Sequence, residues 1–173
     1  MEPWSDVKHE FLDGEIYALS ECPAEHAALV VEVLYALRGA VRNRSCRVYS
    51  SDLRIHVESA GLSTYPDGSV VCGPLQEHLP GPKSTALNPM ILVEVTSDSS
   101  EDYDTGRKLD YYRTIPSLRD YIIVSHRQRR ITVHSRGADG AWLTDAAGPG
   151  ERVEVSSLGV QLSVDEVYRN STI

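Results

Sequence analysis

Two short runs of this chain, Ser69-Val70-Val71-Cys72 and Met90-Ile91-Leu92-Val93-Glu94-Val95, are almost continuously apolar and bounded by turn residues. A strand with one wet face alternates apolar and polar side chains, so uninterrupted runs of this length fit strands covered on both faces. Such strands lie at the centre of a sheet, which restricts the chain to architectures with other elements packed on each side. Glu94 stands inside the second run. A carboxylate there is costly to bury unless it meets a cation or a hydrogen-bond donor, so this residue needs a partner.

The rest of the chain supplies the surrounding elements. Ala27, Val30, Val31, Leu34, Leu37 and Val41 recur every three or four positions, and Pro23 suits a first helical turn, which predicts a helix from about Pro23 to Asn43. Glu10 to Leu19 reads as a hairpin about Asp13-Gly14, a pair that tolerates the positive φ of a type I′ turn. From Cys46 the period falls to two through Val48, Leu53, Ile55 and Val57, which predicts a strand with a bulge at Ser50-Ser51. Gly73 to Pro89, with four prolines and two glycines, reads as a surface loop or flap. Ser99 to Asp102 can cap a helix running to about Thr114, and Pro116 helps to stop it. Tyr121 to Val124 and Ile131 to His134 read as antiparallel strands, Ala141 to Leu143 as a further strand, and Ser163-Val164-Asp165-Glu166 as a capping box. Helices and strands mixed around two central strands make this an α/β or α+β chain, and 173 residues suit a single domain spanning 1–173.

No apolar run approaches the roughly 20 residues that a membrane span needs, and the start, Met1 to Asp6, lacks the pattern of a secretory signal, so a cytoplasmic location is expected and a membrane partner is not. Cys22, Cys46 and Cys72 form no C-x-x-C pair, so they are expected to be small buried hydrophobes rather than a disulfide framework or zinc site. The net charge of −8 hides a segregation along the chain. Residues 1–37 hold one basic residue against eight acidic, and 55–106 the same. Residues 38–54 hold five against one, and 107–136 eight against two. Two basic stretches beside an acidic centre suit either solvated faces or a nuclease.

The acidic centre holds the residues best placed for chemistry. Tyr65-Pro66-Asp67 leads into one central strand, and Glu94 lies in the next. Strands entering and leaving one loop can lie side by side, which would let Asp67 and Glu94 share a hard divalent cation through oxygen ligands. Spacing alone equally allows a capped turn for Asp67 and an edge-facing Glu94. Lys108, on the helix after Glu94, could neutralise a scissile phosphate or lower the pKa of an attacking water; an exposed lysine paired with Asp104 four residues earlier is the structural alternative. Glu25 and His26 open the first long helix and can face the same pocket, Glu25 as an outer-sphere partner of metal or water and His26 as a phosphate or water contact, although helix-start acids also arise for dipole reasons. Asp52, in the polar break of the third strand, either hydrogen-bonds the bulge or joins the site from a second layer. Of the adjacent Tyr111 and Tyr112, only one can line the pocket.

Asp67 in Pro-Asp, Glu94 in Val-Glu-Val, and Tyr103-Asp104-Thr105-Gly106-Arg107-Lys108 followed by Tyr112, Pro116-Ser117-Leu118 and Tyr121 resemble the Uma2 family of restriction endonucleases, in the PD-(D/E)xK nuclease superfamily. Leu12 to Ile16, Pro23 to His26 and Ser51 to Ile55 also look like blocks of that family, so the resemblance covers about residues 10–135. It implies a restriction-endonuclease-like mixed central sheet flanked by helices, with additional antiparallel strands. It implies Asp67 and Glu94 as ligands of Mg2+ or Mn2+ and Lys108 as the superfamily lysine, and His26 resembles a recurrent position of the family; Glu25, Asp52 and Tyr112 are candidate contacts around them from their places in the sequence. DNA is the partner so implied, and a homodimer is compatible with it. The sequence departs from the pattern at Thr96, which stands where Glu-x-Lys would place a lysine, and Gly68 and Asp98 are unusual beside their motifs. The expected function is metal-dependent endonucleolytic hydrolysis of DNA. A nuclease fold retained as a binding or dimerisation module and a phosphatase acting on a small phosphate ester are the alternatives.

Overall fold

The computed structural model describes residues 9–12, 15–18, 23–78 and 85–173; the Asp13-Gly14 turn and Cys22 lie outside them. Strands β1 (His9–Leu12) and β2 (Glu15–Ala18) pair antiparallel, as the hairpin reading requires. Helix α1 (Ala24–Ala40) starts directly after Pro23 and buries His26, Leu29, Val33 and Leu37 along one face. The expected strand from Cys46 divides into β3 (Cys46–Ser50) and β4 (Arg54–Val57), which belong to different sheets. Ser50-Ser51 is therefore a corner rather than a bulge: Leu53 N–H donates to Ser50 O as the chain turns between layers. A short 3-10 turn (Glu58–Ala60) leads to β5 (Leu62–Thr64), and β6 (Gly68–Cys72) follows Asp67.

The proline-rich stretch after β6 is partly ordered into the fold, since β7 (Thr85–Ala86) pairs parallel with β4. Beyond β8 (Ile91–Val95), the expected single helix is two, α2 (Glu101–Thr105) and α3 (Arg107–Arg113), broken at Gly106 with φ −112° and ψ −103°. A Cβ at Gly106 would meet Asp102 O at 2.8 Å, so the break requires glycine. The chain closes with β9 (Asp120–Val124), β10 (Ile131–Arg136), β11 (Trp142–Ala147), the hairpin β12 (Arg152–Val155) and β13 (Val160–Ser163), and α4 (Val164–Val167). Ser163 caps α4 by accepting from Glu166 N–H, as the capping box predicts.

The central sheet is mixed and six-stranded, in the order β11-β10-β9-β8-β6-β3, with β8 and β9 parallel and the other pairs antiparallel. β8 and β9 are buried at every position, as continuous apolar runs demand. Alternation along them feeds two cores. Ile91, Val93, Val95, Ile122 and Val124 pack with α1 and the C-terminal elements. Leu92, Tyr121 and Ile123 pack on the opposite face with β4, β5 and α3. Gly68 lets α1 approach β6, because a Cβ there would fall 2.3 Å from a Leu34 methyl group.

The cysteines depart from expectation. Cys46 and Cys72 face each other in the β3–β6 register and are joined by a disulfide, while still packing partly buried against the α1 core. Their separation of 26 residues gives no hint of pairing; only the strand register does.

Candidate active site

The β6–β8 register pairs Gly68 with Val93 and Ser69 with Leu92, so one step further along it Asp67 stands opposite Glu94. Both side chains then project to the face that holds Leu92 and Tyr121. Asp67 sits where the chain enters β6, and its Oδ2 accepts from Val95 N–H at 2.8 Å. His26 Nε2, from the first turn of α1, lies 3.2 Å from the same oxygen. The Glu94 carboxylate leans back toward Asp67, with Oε2 3.4 Å from the Asp67 backbone N–H.

Its other oxygen is held from α3. Lys108 Nζ is 2.8 Å from Glu94 Oε1, and Tyr112 donates its hydroxyl to the same atom at 2.9 Å. Lys108 also lies 3.4 Å from Asp104 Oδ1 of α2, an oxygen that accepts no well-aimed hydrogen bond among the described residues. The break at Gly106 thus folds Asp104 and Lys108 onto one buried spot instead of leaving an exposed ion pair. Glu94, Asp104 and Lys108 are 4%, 2% and 5% exposed, which excludes the surface-pair alternative. Tyr112 is buried and packs edge-on against Tyr121, whose hydroxyl donates to Asp104 O. Tyr111 lies outside, its hydroxyl 3.3 Å from Arg107.

Three negative groups around one lysine leave the cluster short of positive charge. Burial pushes the Glu94 pKa well above the ordinary carboxylate range, and Asp104 and Asp67 add to the rise against the pull of Lys108. Burial likewise raises Asp104, again against Lys108. Burial works against protonation of His26, but its hydrogen bond and charge interaction with Asp67 outweigh that and raise its pKa.

Two expected site residues bond elsewhere, although Glu25 still lines one cleft with His26. The Glu25 carboxylate turns to the C-terminal tail, accepting from Thr172 N–H and Oγ1, each at 3.1 Å, because the first turn of α1 packs beside that tail. Hydrogen bonding from Ser171 and Thr172 lowers its pKa. Asp52 is exposed at the β3–β4 corner, where it accepts from Ser50 Oγ at 3.2 Å, so it serves the turn that the misread bulge conceals. In turn, Asp104 belongs to the cluster although its i,i+4 spacing with Lys108 suggests only a surface pair. Its signal was the glycine two residues on. The unusual Thr96 and Asp98 both bind His126, through Thr96 Oγ1 to Nδ1 at 2.7 Å and Asp98 Oδ1 to Nε2 at 3.0 Å. A cleft of about 260 Å³ opens here, lined by His26, Thr96, Asp98 and His126.

Asp67 Oδ1 accepts no hydrogen bond among the described residues, and Glu94 Oε2 takes only the long contact from the Asp67 N–H. Each carboxylate thus keeps one oxygen without a strong donor among the described residues, and the charge of Glu94 is under-compensated. That donor set fits a hard cation that keeps several waters, as magnesium does. Among the described residues no group of three or more His, Cys, Asp or Glu side chains is gathered for a metal, so water would have to complete the shell.

The chain is 34% identical over 164 residues to the uncharacterized protein slr1290 of Synechocystis, covering 94% of this chain and 84% of that one. It is 27% identical over 160 residues to sll1609 of the same organism, covering 92% and 90%. A crystal structure described as a "putative nuclease belonging to DUF820" from Anabaena variabilis superposes with a TM-score of 0.76 at 19% identity, over 96% of this chain and 93% of that one, and shares its fold. The model of the Uma2 family, described as "Putative restriction endonuclease", matches residues 2–165, and with the fold it identifies this chain as a member of that restriction-endonuclease-like family.

Proposed function

We propose that the chain is a single nuclease-like domain that hydrolyses DNA phosphodiester bonds with Mg2+ or Mn2+. The observation that carries this reading is the opposition of Asp67 and Glu94 across two buried strands, with Lys108 against Glu94. The cation would be held by Asp67 and Glu94, and it supplies Lewis-acid activation of water and neutralisation of phosphate charge. Tyr112 and Lys108 fix one Glu94 oxygen and leave the other facing Asp67. His26 and Val95 N–H fix Asp67 in the same way. Lys108, anchored between Glu94 and Asp104, offers an ammonium to the extra negative charge that develops on phosphorus-bound oxygen. The cleft between His26 and His126 provides room for a phosphodiester beside the acids. A cytoplasmic location accompanies this reading, and reducing conditions there would keep Cys46 and Cys72 as thiols. Among the described residues, no helix is long and apolar enough to cross a membrane.

The test is cleavage of plasmid and labelled duplex DNA with magnesium, with manganese and with chelator, for wild type, Asp67→Asn and Glu94→Gln. Wild type should cut only with metal, and both variants should be folded and inactive; variants that cut like wild type would refute the assignment. A second reading, a nuclease fold kept as a binding module, draws on Lys108 closing onto both Glu94 and Asp104. Thermal melts separate the two. At one hundred times its Kd a cation stabilises the native state by about 2.7 kcal/mol. Manganese should therefore raise the Tm of wild type but not of Glu94→Gln, whereas a lapsed site would show equal shifts or none.

A further inference from the structure

Arg38 in the last turn of α1, Arg42 and Arg44 in the following turn, and Arg47 on edge strand β3 line one open concavity of about 500 Å³ together with Tyr49. All four arginines are exposed, and among the described residues none is ion-paired. Arg44 reaches Leu158 O at 2.5 Å, and among the described residues the other three have no side-chain hydrogen-bond partner. The chain holds 25 acidic residues against 17 Lys and Arg, so carboxylates are not scarce. The negative C-terminal end of a helix dipole accounts for cations in the last turn of α1. It does not account for Arg44 and Arg47, which lie beyond the helix. Guanidiniums gathered this closely repel one another unless an anion with several acceptor groups lies among them.

We propose that this concavity is a second contact for the phosphodiester backbone of a DNA duplex, away from the catalytic acids and held at a fixed spacing from them by α1 and β3. The choice of DNA as occupant rests on the nuclease reading; the convergence of unpaired charge does not. The spacing follows from the fold. Arg47 pairs with Val71, four residues along β6 from Asp67, or about 13 Å at 3.3 Å per residue. His26 touches Asp67 at one end of α1, and Arg42 follows the other end, about 24 Å away at 1.5 Å per residue. Arg47 and Arg42 therefore bracket the span from the acids to the arginines, which amounts to roughly four to seven base pairs at 3.4 Å each. Asp67 and Arg47 project to the same face of the central sheet, since Arg47 and its partner Val71 are in phase with Asp67. That face is covered by β4, β5 and α3, so the open route is the sheet edge: β3 is the edge strand beside β6, and a duplex running along it can reach from the entrance of β6 at Asp67 to the arginines.

The test is fluorescence anisotropy in metal-free buffer, with labelled duplexes of about 24 and about 6 base pairs, on wild type, the triple variant Arg38→Glu, Arg42→Glu, Arg47→Glu, and the milder triple Gln variant. For the long duplex the Glu variant should bind about tenfold or more weakly. Both triple variants should flatten the slope of log K against log salt by about 2.7, at about 0.9 per lost phosphate contact. For the short duplex, which is no longer than that span, the loss should be smaller than for the long one. Unchanged affinity and slope on the long duplex would overturn the proposal. So would equal sensitivity on both lengths, or competition by inorganic triphosphate at the concentration of duplex phosphate, which would mark a small-anion site. If wild type never cleaves but the arginine variants lose binding, the nuclease reading fails and this contact stands; if cleavage holds while they bind normally, this contact fails alone.

Discussion

The basic stretches at 38–54 and 107–136 look alike in sequence, with five and eight cationic residues, but the fold uses them in opposite ways. In the second, most of the charge is turned inward or clamped, while Arg119 and Arg130 stay exposed with no side-chain partner among the described residues. Lys108 is buried between Glu94 and Asp104, and Arg127 bridges Asp98 and Glu101 at 3.0 and 2.7 Å. Arg129 donates to Ile173 O at 2.7 Å. Arg136 donates to the carbonyls of Arg113, Ile115 and Pro116 at the end of α3 and stacks on Trp142 at 4.9 Å. In the first, Arg38, Arg42 and Arg47 meet no carboxylate among the described residues. A cation engaged by the protein's own acceptors is structural, and one left among like charges is available to an outside anion. Counting charges along the chain treats both stretches as nucleic-acid tracks, and the structure supports that role for one.

Removing a charge from each stretch should widen this contrast. The largest effect is expected at Lys108→Ala, which strands Glu94 and Asp104 without their cation. Urea unfolding of the metal-free protein near pH 8 should show a loss of about 3 kcal/mol, smaller near pH 5, where Glu94, its pKa already raised by burial, can take up a proton. A loss below about 1 kcal/mol would show that the buried cluster does not depend on the lysine.

Next, Arg136→Ala should cost about 2 kcal/mol by leaving the α3 carbonyls short of donors. Arg38→Ala should change stability by no more than about 0.5 kcal/mol. Equal costs would erase the distinction between the stretches.

The smallest effect concerns His134, which lies in the clamped stretch, buried on β10 with Nδ1 2.8 Å from Thr144 Oγ1. Burial, and then the charge of Arg113, lowers its pKa below 6.5. The unfolded chain therefore binds a proton more readily than the native state as pH falls through 6.5 toward the lowered native value. The contribution of His134 to wild-type stability should fall across that window and be flat above it. His134→Gln should lose less over the same window, as read by chemical denaturation at several pH values; identical pH profiles would mean that His134 does not titrate against burial.

Much of the fold was legible because its signals are local. Continuous apolar runs marked β6 and β8 as covered strands, three-and-four periodicity marked α1, and the capping box marked α4. The errors came where a local pattern has two readings. Polar Ser50-Ser51 suits a bulge or a corner between sheets, and the choice depends on which sheet receives Leu53 and Ile55. An apolar and charged period continuing through Gly106 suits one helix, but the close approach of Asp102 O breaks it in two. The β12–β13 hairpin went unread because its alternation is short and lies among turn residues.

The candidate site divides in the same manner. The sequence by itself determined which acids are costly enough to need partners, since a glutamate in an apolar strand and an aspartate at its neighbour's entrance are exceptions to pattern that burial must answer. It also fixed Lys108 and Tyr112 as neighbours one turn apart on a helix. Only the tertiary structure decided that Asp104 belongs with them, that Glu25 bonds the C-terminal tail, that Cys46 meets Cys72, and that Arg38, Arg42 and Arg47 gather without a carboxylate among the described residues. The reason is physical: cost of burial and helical phase are properties of a residue and its near neighbours, whereas partners supplied by strand register and by the meeting of distant elements depend on contacts between segments far apart in the chain.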